Sequence, residues 1–255
     1  MISPFGSETL HSLYIDDFSL REDLLKEAQS LPSIVISSSA AANAVMLGGG
    51  YFNPLNGFMN LHETLKVSES MQLDSGLFWP VPILNLLHDH DLNEGIRSAP
   101  KIALRDPNIE GNPVLAVQEV NSIEFISNEE KNSIINQVFS TEDPNHPGVA
   151  SFSNGGNALI SGPIQVLNFS YFSSDFPETF RTAAEIRDDI AQTADQVAHL
   201  STEMRTFLGE PEGNPFIRRQ RAVIRASSPT EHCIGPEGMD LGSSDRLGTG
   251  LVSRW

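Results

Sequence analysis

The stretch Met46-Leu-Gly-Gly-Gly-Tyr-Phe-Asn-Pro-Leu-Asn-Gly-Phe-Met59 constrains this chain more than any other. Gly48 to Gly50 admit positive φ or a close neighbour, Pro54 forces an extended residue before a turn, and Asn56-Gly57 favours a tight reversal. A second run, Leu73-Asp-Ser-Gly-Leu-Phe-Trp-Pro-Val-Pro-Ile83, follows at once, with two prolines spaced two apart. Such density marks a fixed backbone path. The pair reads as a scaffold knot, and its three glycines also raise a second reading, a phosphate cradle of backbone N–H groups. Against that cradle, no Gly-Lys-Ser/Thr follows, and the glycines end a helix where a phosphate loop would open one.

The flanking chain alternates helical and strand patterns. Ser19 to Glu22 reads as a capping box opening a helix with Leu20, Leu24, Leu25 and Ala28 on its apolar stripe, ended by Leu31-Pro32. Ile34 to Ile36 is a short buried strand, and Ser38 to Leu47 an alanine-rich helix stopped by Gly48. Asn60 to Glu63 is a second capping box, with a helix to about Ser70. Ile83–Leu87, Lys101–Arg105 and Val114–Val120 then read as strands, joined by His88–Gly95 and Asp106–Pro113 as hairpin loops. Ile123–Ile126 adds a strand, and Asn128 caps a helix that faces Ile134, Ile135, Val138 and Phe139 inward. Asn145–Gly148 reads as a turn. Asn157–Ile160 and Gln165–Phe169 read as a strand pair divided by Ser161-Gly-Pro163, and Thr182 to Glu185 is a third capping box. Many short strands with few helices predict an α+β fold with a small mixed β-barrel and flanking helices.

Beyond about Val197 the hydrophobic period decays. Gly, Pro and Ser punctuate the chain every few residues, no lysine follows Lys131, and the last 50 or so residues are expected to be largely disordered. The charge is uneven as well. Residues 1–191 carry 9 basic and 25 acidic side chains, residues 192–255 carry 7 and 8. The net charge of −17 weighs against nucleic acid and anionic membrane as partners. Met1-Ile-Ser-Pro-Phe-Gly6 lacks a leader's basic and apolar regions, and no apolar run approaches the roughly 18 residues of a membrane span, so a cytoplasmic protein is expected. A single cysteine, Cys233, rules out a disulfide within the chain.

Each chemical candidate is outweighed by a plainer reading. His88-Asp89-His90-Asp91 offers imidazoles and carboxylates, but an extended segment turns successive side chains to opposite faces, so at most two converge. His62 falls in a first helical turn, as a solvated residue. His146 has no identifiable nucleophile or carboxylate partner. Arg218, Arg219, Arg221 and Arg225 are a basic cluster without interleaved aromatics beyond Phe216, and Cys233 sits in a polar context. The chain is therefore assigned no catalytic, cofactor-binding or metal-ligating residue.

Six ordered runs carry a resemblance: Gly48–Met59, Gly76–Pro82, Lys101–Asp106, His146–Val149, Ser161–Pro163 and Phe180–Arg187. On these, residues 1 to about 198 resemble the N-terminal part of ATP sulfurylase (sulfate adenylyltransferase). The resemblance implies a PUA-like domain at 1–173, a linker and first helix of a Rossmann-like nucleotidyltransferase domain at 174–198, and an aberrant or disordered tail at 199–255. It implies transfer of AMP from ATP to sulfate, or the reverse, with ATP entering as its Mg2+ complex, no cofactor held by this chain, and room for a homo-oligomer. The family's chemistry depends on a Gln-x-Arg-Asn-Pro-x-His-x-x-His segment just after that helix, where arginine and asparagine orient sulfate and the histidines hold phosphate oxygens. Here Asp195-Gln-Val-Ala198 resembles the lead-in, but His199-Leu-Ser-Thr-Glu-Met-Arg205 follows and the motif is absent, as is a later Gly-Arg-Asp-containing loop. Asn214-Pro215 and His232 lack its spacing. The expectation is a fragment inactive alone, with the reading frame lost near His199 or, as the competing explanation, a genuine divergent tail. The alternative is a non-catalytic PUA-like module that binds a partner subunit or RNA.

Overall fold

The computed structural model describes residues 3–193, and Ser3–Ala184 form one compact unit. The expected helix of residues 19–31 is α1 (Phe18–Ser30), but its cap is Asp17, not Ser19: the Asp17 carboxylate accepts from the Leu20 N–H at 2.9 Å. Leu20 falls in the first turn and is 64% exposed, while Leu24 and Ala28, further along the same row, are buried. Strand β1 (Ser33–Val35), α2 (Ser38–Gly48), β2 (Gly57–Phe58) and α3 (Leu61–Ser70) follow. In α3 the Asn60/Glu63 capping box forms in both directions, as the sequence indicates.

Strand β3 is only Leu86–Leu87. His88–Gly95 is not a hairpin loop: Asp89–Asp91 form a 3-10 turn and Glu94–Ser98 form α4, capped by the Asn93 side chain. The strand before this segment pairs with β7 and the strand after it with β1 and β5, so no hairpin joins them. Strands β4 (Lys101–Arg105) and β5 (Val114–Glu119) are a true antiparallel hairpin. Asp106, fully buried, closes it by accepting from the Asn108 N–H at 2.8 Å, while the Asn112 side-chain amide donates to the Asp106 carbonyl at 2.7 Å. Strand β6 (Ser122–Phe125) leads to α5 (Asn128–Phe139), capped by Ser127, one residue before the expected Asn128, in a second reciprocal capping box with Glu130.

Residues 145–148 are not a free turn. His146 is the N-cap of α6 (Pro147–Asn154), and its Nδ1 accepts from the Val149 N–H at 3.4 Å, with Pro147 in the first turn, where a missing N–H costs nothing. The expected strand pair around Ser161-Gly-Pro163 is a single strand, β7 (Ala158–Val166). It changes partners at that tripeptide. Ala158–Ser161 pair with β6, while Gly162–Val166 pair with β2 and β5. The crossing is too close for side chains: a Cβ on Gly162, whose φ is +137°, would sit 2.1 Å from the Glu119 carbonyl oxygen, and one on Gly57 2.1 Å from that of Gly162. Pro163 stands opposite Gly57 of β2, at the point where β7 leaves β6 for β5. A short helix, α7 (Phe172–Asp175), follows, and residues 183–193 form α8.

The seven strands make a mixed half-barrel, order β1-β4-β5-β7-β2 with β3 and β6 also on β7, in which only the β1–β4 pair of adjacent strands runs parallel. The main core fills its concave side with Leu47, Val67, Ile83, Ile102, Leu104, Leu115, Ile134 and Ile160. A smaller core lies where α1 covers the outer face, using Leu24, Ala28, Ala103, Val117 and Leu167. Strands β4 and β5 are therefore buried on both faces, which is why they read as continuous apolar runs without alternation. Inside the main core a polar bridge crosses the barrel. The Asn85 amide donates to Gln118 Oε1 at 3.0 Å, and Gln118 Nε2 donates to the Ile160 carbonyl at 3.1 Å, with both side chains fully buried. The unit thus closes its own core. The expectation of a disordered tail concerns residues outside those described.

Candidate functional site: the glycine knot and the chain exit

The glycine knot is the C-terminus of α2, and its hydrogen bonding decides between cradle and scaffold. The Gly49, Gly50 and Tyr51 N–H groups donate back to Val45, Leu47 and Met46 carbonyls at 2.8, 3.2 and 3.0 Å. The donors are consumed. What the knot turns outward are acceptors: the Gly48 carbonyl takes the Ser12 hydroxyl at 2.6 Å and the Tyr14 N–H at 3.3 Å, and the Gly49 carbonyl takes the Ala183 N–H at 2.8 Å. A helix C-terminus lined with carbonyls repels phosphate, so the cradle reading fails on charge as well as geometry. Close approach is also built in, because a Cβ on Gly48 would lie 2.8 Å from Val166 Cγ1.

The knot moors both ends of the unit. On the incoming side, buried Asn53 accepts from the His11 N–H at 2.8 Å, and its amide donates to the Phe5 carbonyl and the Ser7 hydroxyl. On the outgoing side the Tyr51 hydroxyl donates to the Arg181 carbonyl beside the Gly49–Ala183 bond. Around the exit runs a ladder of rings. Tyr14 and Phe169 lie 4.5 Å apart between centroids, Phe169 and Phe180 5.1 Å, Phe172 and Phe180 6.2 Å. It continues through Tyr171 to Phe176, which is 51% exposed, and at the other end the Arg21 guanidinium bridges Tyr14 to Phe18, which is 70% exposed. Sequence reasoning missed Tyr51, Arg181 and Ala183 as a cluster, since 130 residues separate the first two and no local pattern links them.

The other candidates are surface groups with ordinary partners. His88 and His90 do converge, their rings stacked at 5.1 Å, but the Arg97 guanidinium takes Asp89 at 2.5 Å and Asp91 lies 3.5 Å from His90 Nε2. Among the described residues no group of three His, Cys, Asp or Glu side chains is placed to hold a metal. His62 is 75% exposed and shares Asp74 with Lys66, whose ammonium hydrogen bond at 2.8 Å holds that carboxyl below the usual range. His146 packs its ring on Phe139 at 5.5 Å and serves its helix. Lys131, which the sequence did not single out, ties α5 to the turn before β7 by donating to the Ser153 and Gly156 carbonyls at 2.9 and 2.7 Å, and burial lowers its pKa. Arg218, Arg219, Arg221, Arg225, His232 and Cys233 lie outside the described residues.

Five of the six resemblance-bearing runs, all but Gly76–Pro82, therefore have a structural task here. They do not converge on a reacting centre among the described residues. The comparisons agree with the resemblance. The chain is 54% identical over 192 residues to a sulfate adenylyltransferase of Allochromatium vinosum, covering 75% of this chain and 48% of that one. It is 47% identical over 192 residues to that of the Riftia pachyptila sulfur-oxidizing endosymbiont, covering 75% and 43%. Among solved structures, a hexameric APS kinase from Thiobacillus denitrificans superposes with a TM-score of 0.55 at 26% identity, over 75% of this chain and 32% of that one. The chain spans about half the length of the curated relatives it matches. Residues 2–169 match the PUA-like domain family, the region in which the half-barrel lies, and the chain belongs to that family.

Proposed function

We propose that this chain is the accessory PUA-like part of a sulfate adenylyltransferase, and that its 255 residues transfer no adenylyl group on their own. The observation that supports this most is the 54% identity confined to half of a sulfate adenylyltransferase's length. The site geometry agrees, because the resemblance-bearing runs act in packing, capping and strand crossing. ATP, its Mg2+ and sulfate would meet the residues of the other half, and this unit would supply a rigid base. Self-association is part of the proposal, following the assembly named for the Thiobacillus denitrificans neighbour. So is a cytoplasmic location; among the described residues no helix is long and apolar enough to cross a membrane. Purified chain should release no pyrophosphate in the presence of ATP and sulfate, and release that requires both would refute the proposal.

We further propose that the reading frame shifts near His199. The other two frames of the gene beyond codon 198 should then encode the Arg-Asn-Pro-x-His segment, and its absence from both defeats the idea.

A further inference from the structure

The chain has four lysines, Lys26, Lys66, Lys101 and Lys131, and all of them lie among the described residues. Three face a carboxylate: Lys26 meets Asp23 at 3.3 Å, Lys66 meets Asp74 at 2.8 Å and Lys101 meets Glu27 at 3.3 Å. An ion pair holds its amine protonated, and a protonated amine has no lone pair to offer an electrophile. Lys131 differs. Its ammonium donates to the Ser153 and Gly156 carbonyls at 2.9 and 2.7 Å, lies 5.8 Å from the centre of the Phe152 ring, and pairs with no carboxylate among the described residues. The neighbouring Glu130 carboxylate is turned back onto the Ser127 N–H and hydroxyl at 2.8 and 2.7 Å. The site also suits the uncharged amine. Two N–H bonds remain after deprotonation, enough for the two carbonyls, and the fourth tetrahedral position on the nitrogen is then a lone pair. Partial burial lowers the Lys131 pKa and so favours that form.

We propose that Lys131 is a modification site for small acyl donors of the acyl phosphate class, and that its acylation unfastens α5 from the end of α6. The inference does not depend on the functional reading above. In the step itself the neutral Nζ attacks the carbonyl carbon of the acyl phosphate and a C–N bond forms. The C–O bond to phosphorus's oxygen breaks, phosphate leaves with the electron pair, and the surplus proton on nitrogen passes to water. The product amide carries one N–H and no charge. One of the two carbonyls therefore loses its donor, and the C-terminus of α6 loses the cation that faces its dipole.

Acetyl phosphate applied to the parent 255-residue chain tests the site. After partial reaction at about pH 8, where a lysine of ordinary pKa is almost wholly protonated, the remaining amines are acetylated under denaturing conditions with isotopically heavy acetic anhydride, and mass spectrometry reads the light fraction at each lysine. Lys131 should carry about threefold or more light acetyl than each of Lys26, Lys66 and Lys101. A fraction equal to or below that of any of the three overturns the site. Hydrogen exchange reads the unfastening at the Gly155 N–H, which donates to the Phe152 carbonyl at the end of α6. Lys131→Gln, which removes the charge, should exchange that amide about fivefold faster than the parent, and Lys131→Arg should stay close to the parent. Unchanged exchange in Lys131→Gln overturns the release of α5 from α6.

Discussion

Single residues show how a motif can be read correctly as a signal and wrongly as chemistry. His146 stands in a run that resembles an enzyme family, yet it acts as a helix cap through Nδ1 and as a ring packed on Phe139. Replacing it by alanine should lower stability by about 1 kcal/mol in urea denaturation, while asparagine, a strong N-cap, should retain most of it. A nucleophile or base at this position would show the opposite insensitivity of stability. Asn85 was invisible to pattern reading, because a polar residue within an apolar strand gives no hint of its partner. Its amide is the donor to Gln118 Oε1 in a fully buried bridge. Asn85→Ala leaves that oxygen unpaired and should cost about 1–3 kcal/mol by the same measurement.

Elements were legible where their signal is local. The capping box of α3 and the limits of β4 stand as the sequence indicates, since spacing within four residues or an unbroken apolar run defines them. Elements defined by contacts distant in sequence were not. The β7 segment reads as two strands divided at Ser161-Gly-Pro163 because glycine and proline ordinarily end strands, whereas here they let one strand cross from β6 to β2 and β5. Pro147 reads with its neighbours as a turn, although proline is equally at home in a first helical turn. The α5 cap offers a pH test. Backbone and hydroxyl hydrogen bonds from Ser127 hold the Glu130 carboxyl below its ordinary value. A depressed folded pKa contributes stability that is present above the unfolded value, about 4.3, and lost as pH falls through the folded one. Glu130→Gln should therefore flatten the acid side of the melting-temperature profile relative to the parent, and identical profiles would remove Glu130 from that linkage.

The whole unit is a half-barrel whose densest sequence feature ties its own beginning and end together. Asn53 holds the incoming chain at Phe5, Ser7 and His11, and Gly49 with Tyr51 holds the outgoing chain at Arg181 and Ala183. The knot's glycines were readable as a fixed path; their clients were not, being tens to more than a hundred residues away. On the proposed reading the matching runs build a base, and the reacting groups belong to the half of the relatives that this chain does not match. The most direct measurement is pyrophosphate release dependent on both ATP and sulfate, made in parallel on the 255-residue chain and on residues 1–198 joined to the remaining half of the Allochromatium vinosum protein. The account predicts no release from the first and release from the second; release from the chain alone, or none from the joined protein, would contradict it.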